Sequence, residues 1–230
     1  ATGFNQNIGA WNVEKVTTMA SMFLGASTFN NSGSNTINNW RPISCSSFQQ
    51  MFQQSAFNQP INNWPLSGSS ISMIYMFLNN SSFNQPLNSW DTSRVTAMGG
   101  MFQGASSFNQ DISSWNTSNV GSMWAMFAQA PSFNQPIGSW NVSNVGSMES
   151  MFQSATSFNQ DIGSWNVGNV TNIAGFMAQN TTYSYLHTIY NGWINNKLRP
   201  NLSISFNTIK YSGSAAEGRG LLARTYNTAS

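Results

Sequence analysis

FNQDISSWNTSNVGSMWAMFAQAPS, residues 108–132, is followed at once by FNQPIGSWNVSNVGSMESMFQSATS, residues 133–157, and then by FNQDIGSWNVGNVTNI from Phe158. A tandem unit of this length is read before any single helix or strand, because one copy cannot bury its apolar face alone and must stack on the next. The stretch upstream of Phe108 is a looser copy of the same unit, and most of the chain after Met177 is not. The reading is therefore a parallel β-solenoid of seven coils of about 25 residues.

Three clocks keep this period. Trp falls at Trp11, Trp40, Trp64, Trp90, Trp115, Trp140 and Trp165, at intervals of 29, 24, 26, 25, 25 and 25. Phe of Phe-Asn falls at Phe4, Phe29, Phe57, Phe83, Phe108, Phe133 and Phe158, and Met-Phe recurs from Met22-Phe23 to Met151-Phe152, inverting at Phe176-Met177. Stacked rings would form the core, with all 12 Met, which lie in the repeats, filling gaps between them. The step of two from Trp115 to Thr117 is strand-like, so a short parallel strand is expected on Trp-Asn-Val/Thr in each coil. The later steps of three suit a turn-rich, 3₁₀-like return. At about 4.8 Å per coil, seven coils make a rod roughly 35 Å long.

The Asn after Phe recurs at Asn5, Asn30, Asn58, Asn84, Asn109, Asn134 and Asn159. A buried Asn ladder bonding adjacent coils is the plain expectation, with ligand contact the alternative. The slot two residues on holds Pro60, Pro86, Asp111, Pro136 and Asp161. It accepts Pro, so it does not need its N–H and reads as an exposed turn. Irregular coils lie early: residues 32–35 (SGSN) lengthen one Phe-to-Ile step, and surface insertions of this kind carry binding elsewhere. Cys45 stands where Val16, Val95, Val120, Val145 and Val170 stand in other coils, which reads as a buried small hydrophobe.

Charged residues make up only 6% of the 230-residue chain, with net charge +2. Residues 1–177 carry three basic and five acidic side chains; residues 178–230 carry five and one. Neither cluster is dense enough for nucleic acid, which needs grouped Lys and Arg along a phosphate track. One Cys excludes an internal disulfide, and no apolar run approaches the roughly 20 residues of a membrane span. No signal peptide is visible and the chain starts at Ala1, so its numbering fits a processed or incomplete chain.

After residue 179 the period gives way. Residues 1–179 read as the solenoid and 180–230 as a closing helix-strand-helix segment. Leu186, Ile189, Tyr190, Trp193 and Ile194 keep helical spacing; Leu202, Ile204 and Phe206 alternate as a strand; a second helix begins near Ser214. Such a cap covers the last open coil.

The unit FNQPIGSWNVSNVGSMESMFQSA resembles the BspA-type leucine-rich repeat family, in its Mycoplasma-lipoprotein-like branch. The shared signature is Phe-Asn-Gln-(Asp/Pro)-Ile, Trp-Asn-(Val/Thr)-Ser-Asn-Val, then Met and Met-Phe; YNGWINNKLRPNLSISFNTIKYSGSAAEGRGLL resembles the branch's closing segment. The resemblance implies a leucine-rich-repeat-type solenoid displayed at a cell or particle surface for adhesion and recognition. It carries no catalytic residues.

Chemistry is sparse. One His (His187) and one Cys do not build the usual metal or nucleophile sites, and no cofactor is expected. Asp111 and Asp161 share a slot two coils apart, roughly 10 Å, and read as a solvated pair. The candidate binding face is Asp91, Arg94, Ser114, Asn116, Ser118, Ser139, Asn141 and Ser143, taken as the outward residues of the strand beside the Trp ladder. It would receive a glycan or an extended protein segment. The expected function is thus a non-enzymatic extracellular module, at a cell or virion surface, for recognising a protein or glycan. The alternative is a building block of a virion or phage appendage, surface layer or filament, self-associating through the uncapped first coil, where Phe4, Trp11 and Phe23 would otherwise be open.

Overall fold

Backbone amides decide how the repeats meet, because every buried N–H needs an acceptor. The computed structural model describes residues 2–180 and 183–195. From Met19 to Gly25, alternate N–H groups donate to the next repeat: Met19 to Ser47 O, Ser21 to Gln49 O, Phe23 to Met51 O and Gly25 to Gln53 O, at 2.8–2.9 Å. Those between them turn back three residues, as Met22 to Met19 O, Leu24 to Ser21 O and Ala26 to Phe23 O, while Ala20 N–H donates to Thr18 Oγ1. The same scheme recurs from Phe48, Met73, Met98, Met123 and Met148.

A left-handed residue every fourth position makes this path possible. Ser21 and Gly25 have φ of 56° and 66°, and the pair recurs as Gln50 and Gln54, Tyr75 and Asn79, Gly100 and Gly104, Ala125 and Gln129, Ser150 and Ser154, Gly175 and Gln179. Each reversal of hand stops the segment from closing into a helix and turns the next amide along the stack. Ten of these 14 positions are not glycine, so the conformation is held by the inter-repeat bonds against an intrinsic cost of about 1–2 kcal/mol each. The return path expected from the steps of three is therefore also where backbone joins backbone between repeats.

Formal strand is slight. β1 (Ile71–Ser72) pairs in parallel with β2 (Val95–Ala97), Ile71 opposite Val95. Parallel bridges extend the line through Thr18, Ser47, Ser72, Ala97, Ser122, Ser147 and Asn172. This corrects the expected strand on Trp-Asn-Val/Thr: the pairing lies several residues later in each repeat. Around Trp115 the backbone is spent on turns, with Trp115 N–H on Ile112 O and Val120 N–H on Thr117 O. Asn116 Oδ1 meanwhile takes the Ser118 N–H at 3.1 Å, an Asx turn that competes with a ladder.

The rings lie over one another. Trp11–Trp40, Trp40–Trp64, Trp90–Trp115 and Trp115–Trp140 stack with centroids 5.8–6.4 Å apart. In this column each indole from Trp40 to Trp165, Trp124 lying outside it, donates Nε1–H to the carbonyl of the apolar residue one repeat back, as Trp140 does to Ile112 O at 3.1 Å. The Phe-Asn and Met-Phe columns face each other within a repeat at 3.8–3.9 Å, for example Phe127 and Phe133. At the inversion Phe176 meets Phe152 edge-on. Cys45 is fully buried in the core.

The vertical order continues past the point where the sequence period fades. Tyr183 stacks on Phe158 at 6.3 Å, Ser184 N–H takes Asn159 Oδ1, and Trp193 Nε1 donates to Ile162 O at 3.1 Å. Residues 183–193 thus continue the stack, with the helix α1 (Leu186–Asn195) starting between Tyr183 and Trp193. The helix comes so close that a Cβ on Gly192 would collide with Gly163 O, and one on Gly163 with Thr188 O. The expected strand at Leu202, Ile204 and Phe206 and the helix from Ser214 lie outside the described residues.

Candidate functional site

The turn after each Trp carries the residues singled out for binding. Asp91, Arg94, Ser114, Asn116, Ser139 and Asn141 are exposed, and Ser118 and Ser143 half-buried. They lie on a row of turns rather than on a flat strand. Asn116 Oδ1 accepts from Ser118 N and from Ser118 Oγ at 2.7 Å; Asn141 does the same for Ser143. Asp91 Oδ1 takes the Ser93 N–H at 3.0 Å. Hydrogen bonds from the Ser93 side chain and backbone, with Arg94 adding a smaller pull, hold the Asp91 carboxyl below its ordinary value. Ser114 and Ser139 hydroxyls donate down the stack, to Asn88 O and Ser113 O. Oxygens on this face are therefore engaged locally. The Nδ2 groups of Asn116 and Asn141 have no partner among the described residues, and they repeat once per turn of chain.

The Asn ladder joins repeats. Asn58, Asn84, Asn109 and Asn134 Oδ1 each accept the N–H of the Asn one repeat on, at 2.9–3.0 Å, and each also accepts a Gln Nε2, from Gln85, Gln110, Gln135 and Gln160. The ladder was expected to be buried and is not: Asn109 is exposed and the others are half-buried. Each Oδ1 serves two donors, which is reason enough for Asn in every copy.

Other sequence candidates are fixed in place. The tip of loop 32–35 is exposed, but its root is pinned: buried Asn31 accepts from Ile8 N and donates to Ser34 O, and Ser32 N–H takes Asn5 Oδ1. Asp111 Oδ1 accepts from Ser113 N and Asp161 Oδ1 from Gly163 N, and Asp161 also takes the Thr188 hydroxyl. The backbone and side chain of Ser113 lower the Asp111 value. Burial pushes the Cys45 thiol up. His187 pairs with Asn191 on the exposed side of α1. Among the described residues no three of His, Cys, Asp and Glu gather in a way that would hold a metal ion.

A family model described as "Mycoplasma protein of unknown function, DUF285" matches residues 1–85 and 71–189. The chain belongs to this family. Its two DUF285 matches overlap at residues 71–85 and together cover the stacked repeats as far as Ile189, inside α1. No curated protein and no solved structure matches the chain. No helix among the described residues is long and apolar enough to cross a membrane.

One feature escaped the sequence reading. Tyr75 and Trp124 come from repeats two apart and meet edge-to-face at 5.0 Å across the surface of the repeat between them. The signal was there in Gly99-Gly100, which replaces the larger pair found in other copies, such as Gln49-Gln50 and Glu149-Ser150.

Proposed function

We propose that the protein is a leucine-rich-repeat-type parallel β-solenoid of the BspA-like branch, acting as a non-enzymatic recognition or adhesion module at an extracellular surface. The observation that carries this reading is the division of labour among polar groups. The ladders satisfy one another within the stack, and the amide donors of Asn116 and Asn141 face outward in register on a nearly uncharged surface. Neutral donors at a regular spacing of about 5 Å match a glycan or an extended peptide better than an ionic ligand. Asn116→Asp and Asn141→Asp keep the Oδ1 acceptor of each Asx turn and remove the Nδ2 donor. Binding to arrays of glycans and immobilised surface proteins falls in the double variant while the fold is kept; unchanged binding refutes the role of this face.

A second reading, a building block of a virion or phage appendage, surface layer or filament, is favoured by the first repeat. Trp11 is 51% exposed and stacks on Trp40 from one side, and Met22 and Leu24 of the same repeat are exposed as well. Such a face accepts another repeat, from the same chain or from a second copy. A concentration-independent monomer on analytical ultracentrifugation removes the second reading.

A further inference from the structure

The Tyr75–Trp124 pair does not follow the pattern of the other aromatics. From Trp40 onward the stacked Trp are buried and donate to a carbonyl; Trp124 is half-buried and its Nε1–H has no partner among the described residues. Tyr75 Oη has none either. The columns beneath them, Met73, Met76 and Phe77, then Met123, Met126 and Phe127, are complete without them. The fold therefore does not call for these two rings.

Their arrangement depends on the repeat between. A Cβ on Gly99 would collide with the indole of Trp124 at Cε2 and Nε1, and one on Gly100 with the ring of Tyr75 at Cδ1 and Cε1. The rings occupy the space two side chains would have filled, Tyr75 doing so from a left-handed backbone at φ 58° that suits glycine better. Gln103 reaches the same spot, its Oε1 3.3 Å from where a Gly100 Cβ would lie, and its side-chain amide is also unpartnered among the described residues. A phenol, an indole and a primary amide thus converge on one surface point with all three polar ends free.

We propose that Tyr75, Trp124 and Gln103 form a binding site for a neutral saccharide over Gly99–Gly100. This rests on the recognition reading above and places a contact point apart from the Asn116–Asn141 row. The apolar face of a pyranose ring packs against aromatic carbon, and its hydroxyls need nearby donors and acceptors on side chains that lose little entropy; Tyr and Trp supply both. The patch spans two repeat steps, about 10 Å, the length of one or two sugar rings. No Lys or Arg stands at the equivalent positions of the flanking repeats, where Gln49, Gln50, Glu149 and Ser150 lie, so an anionic sugar is not favoured.

The test is a screen of the whole chain against neutral and sialylated oligosaccharides, with Kd measured for wild type, Trp124→Ala, Tyr75→Gly and the Asn116→Asp/Asn141→Asp double variant. Tyr75→Gly removes the ring without leaving a strained backbone, so it stays informative where Trp124→Ala perturbs folding. The expected result is binding of a neutral oligosaccharide, weakened about tenfold by either aromatic variant. Retention within twofold in Tyr75→Gly overturns the site, as does preference for sialylated ligands. Loss confined to the double variant overturns the site and leaves the recognition reading standing. Absence of binding to any saccharide overturns the site, and absence of binding to immobilised surface proteins as well removes the recognition reading with it.

Discussion

Replacing Asn134 by Ala tests whether the side-chain ladder holds the repeats together. Asn134 Oδ1 accepts the Asn159 N–H at 2.9 Å and Gln160 Nε2 at 2.9 Å, and Gln160 also reaches Asn134 O at 3.1 Å. Ala removes one acceptor, orphans the Asn159 N–H and leaves Gln160 Nε2 with the Asn134 backbone carbonyl alone. Asn159 is half-buried, so water recovers part of the loss. A net intramolecular hydrogen bond is worth about 0.5–1.5 kcal/mol, and two such bonds with partial rehydration suggest a loss of about 1–2 kcal/mol. For a chain of this size that lowers the melting midpoint by roughly 2–8 °C. Gln160→Ala leaves the Asn159 N–H paired and costs about 0.5 kcal/mol or less. In the double variant the cost of Gln160→Ala shrinks, because its main acceptor is already gone. Differential scanning calorimetry of the four proteins reads all three quantities. A midpoint for Asn134→Ala equal to wild type, or full additivity in the cycle, refutes the reasoning.

Further outcomes follow from other columns. Trp140→Phe removes one of the two hydrogen bonds to the buried Ile112 carbonyl, which keeps the Trp115 N–H, and shrinks a core ring, for a loss of about 1–3 kcal/mol in urea unfolding. Gln129→Gly, at φ 57° with an exposed side chain, stabilises by about 0.5–1 kcal/mol, whereas Gln129→Val destabilises; melting midpoints separate the signs. Gly192→Ala displaces α1 from Gly163 and raises amide exchange at Ile189 while leaving repeats before residue 150 unchanged. Asp91 and Asp111 have folded values below their unfolded ones, so the stability they contribute is complete above the ordinary carboxylate range and is lost as pH falls through the lowered folded values. Asp111→Asn, which keeps the acceptor for Ser113 N–H, flattens the acid limb of a midpoint-versus-pH curve.

Much of the architecture is open to a reader of the letters alone. The timing of Trp, Phe-Asn and Met-Phe is visible, and rings that keep that timing lie over one another. The strand was misplaced because Asn116 and Ser118 draw the Trp-Asn-Thr backbone into a turn, and apolar alternation does not report a side chain competing for an amide. The left-handed columns were hidden since Gln, Ser, Asn, Ala and Tyr hold most of them where glycine would have announced them. Trp193 reads correctly as a helix residue, but its place at the end of the Trp column, and that of Tyr183 on the Phe column, is hidden because Tyr stands for Phe and a helix lengthens the step to Trp. Of the candidate site, the exposure of Asp91, Asn116 and Asn141 was legible; the local use of their oxygens, and the meeting of Tyr75 with Trp124 across another repeat, need three dimensions.

Most vertical neighbours here are interchangeable. Excising residues 133–157 would rejoin Ser132 to Phe158 and hand each Asn, Trp and Phe a substitute of the same kind, so the stack can lengthen or shorten by whole units. The Tyr75–Trp124 clasp has no such freedom. It counts: with no glycine-bearing unit between the two rings they have no floor to lie on, and with one unit more they no longer touch. A lineage that varies its copy number is therefore constrained across residues 75–124.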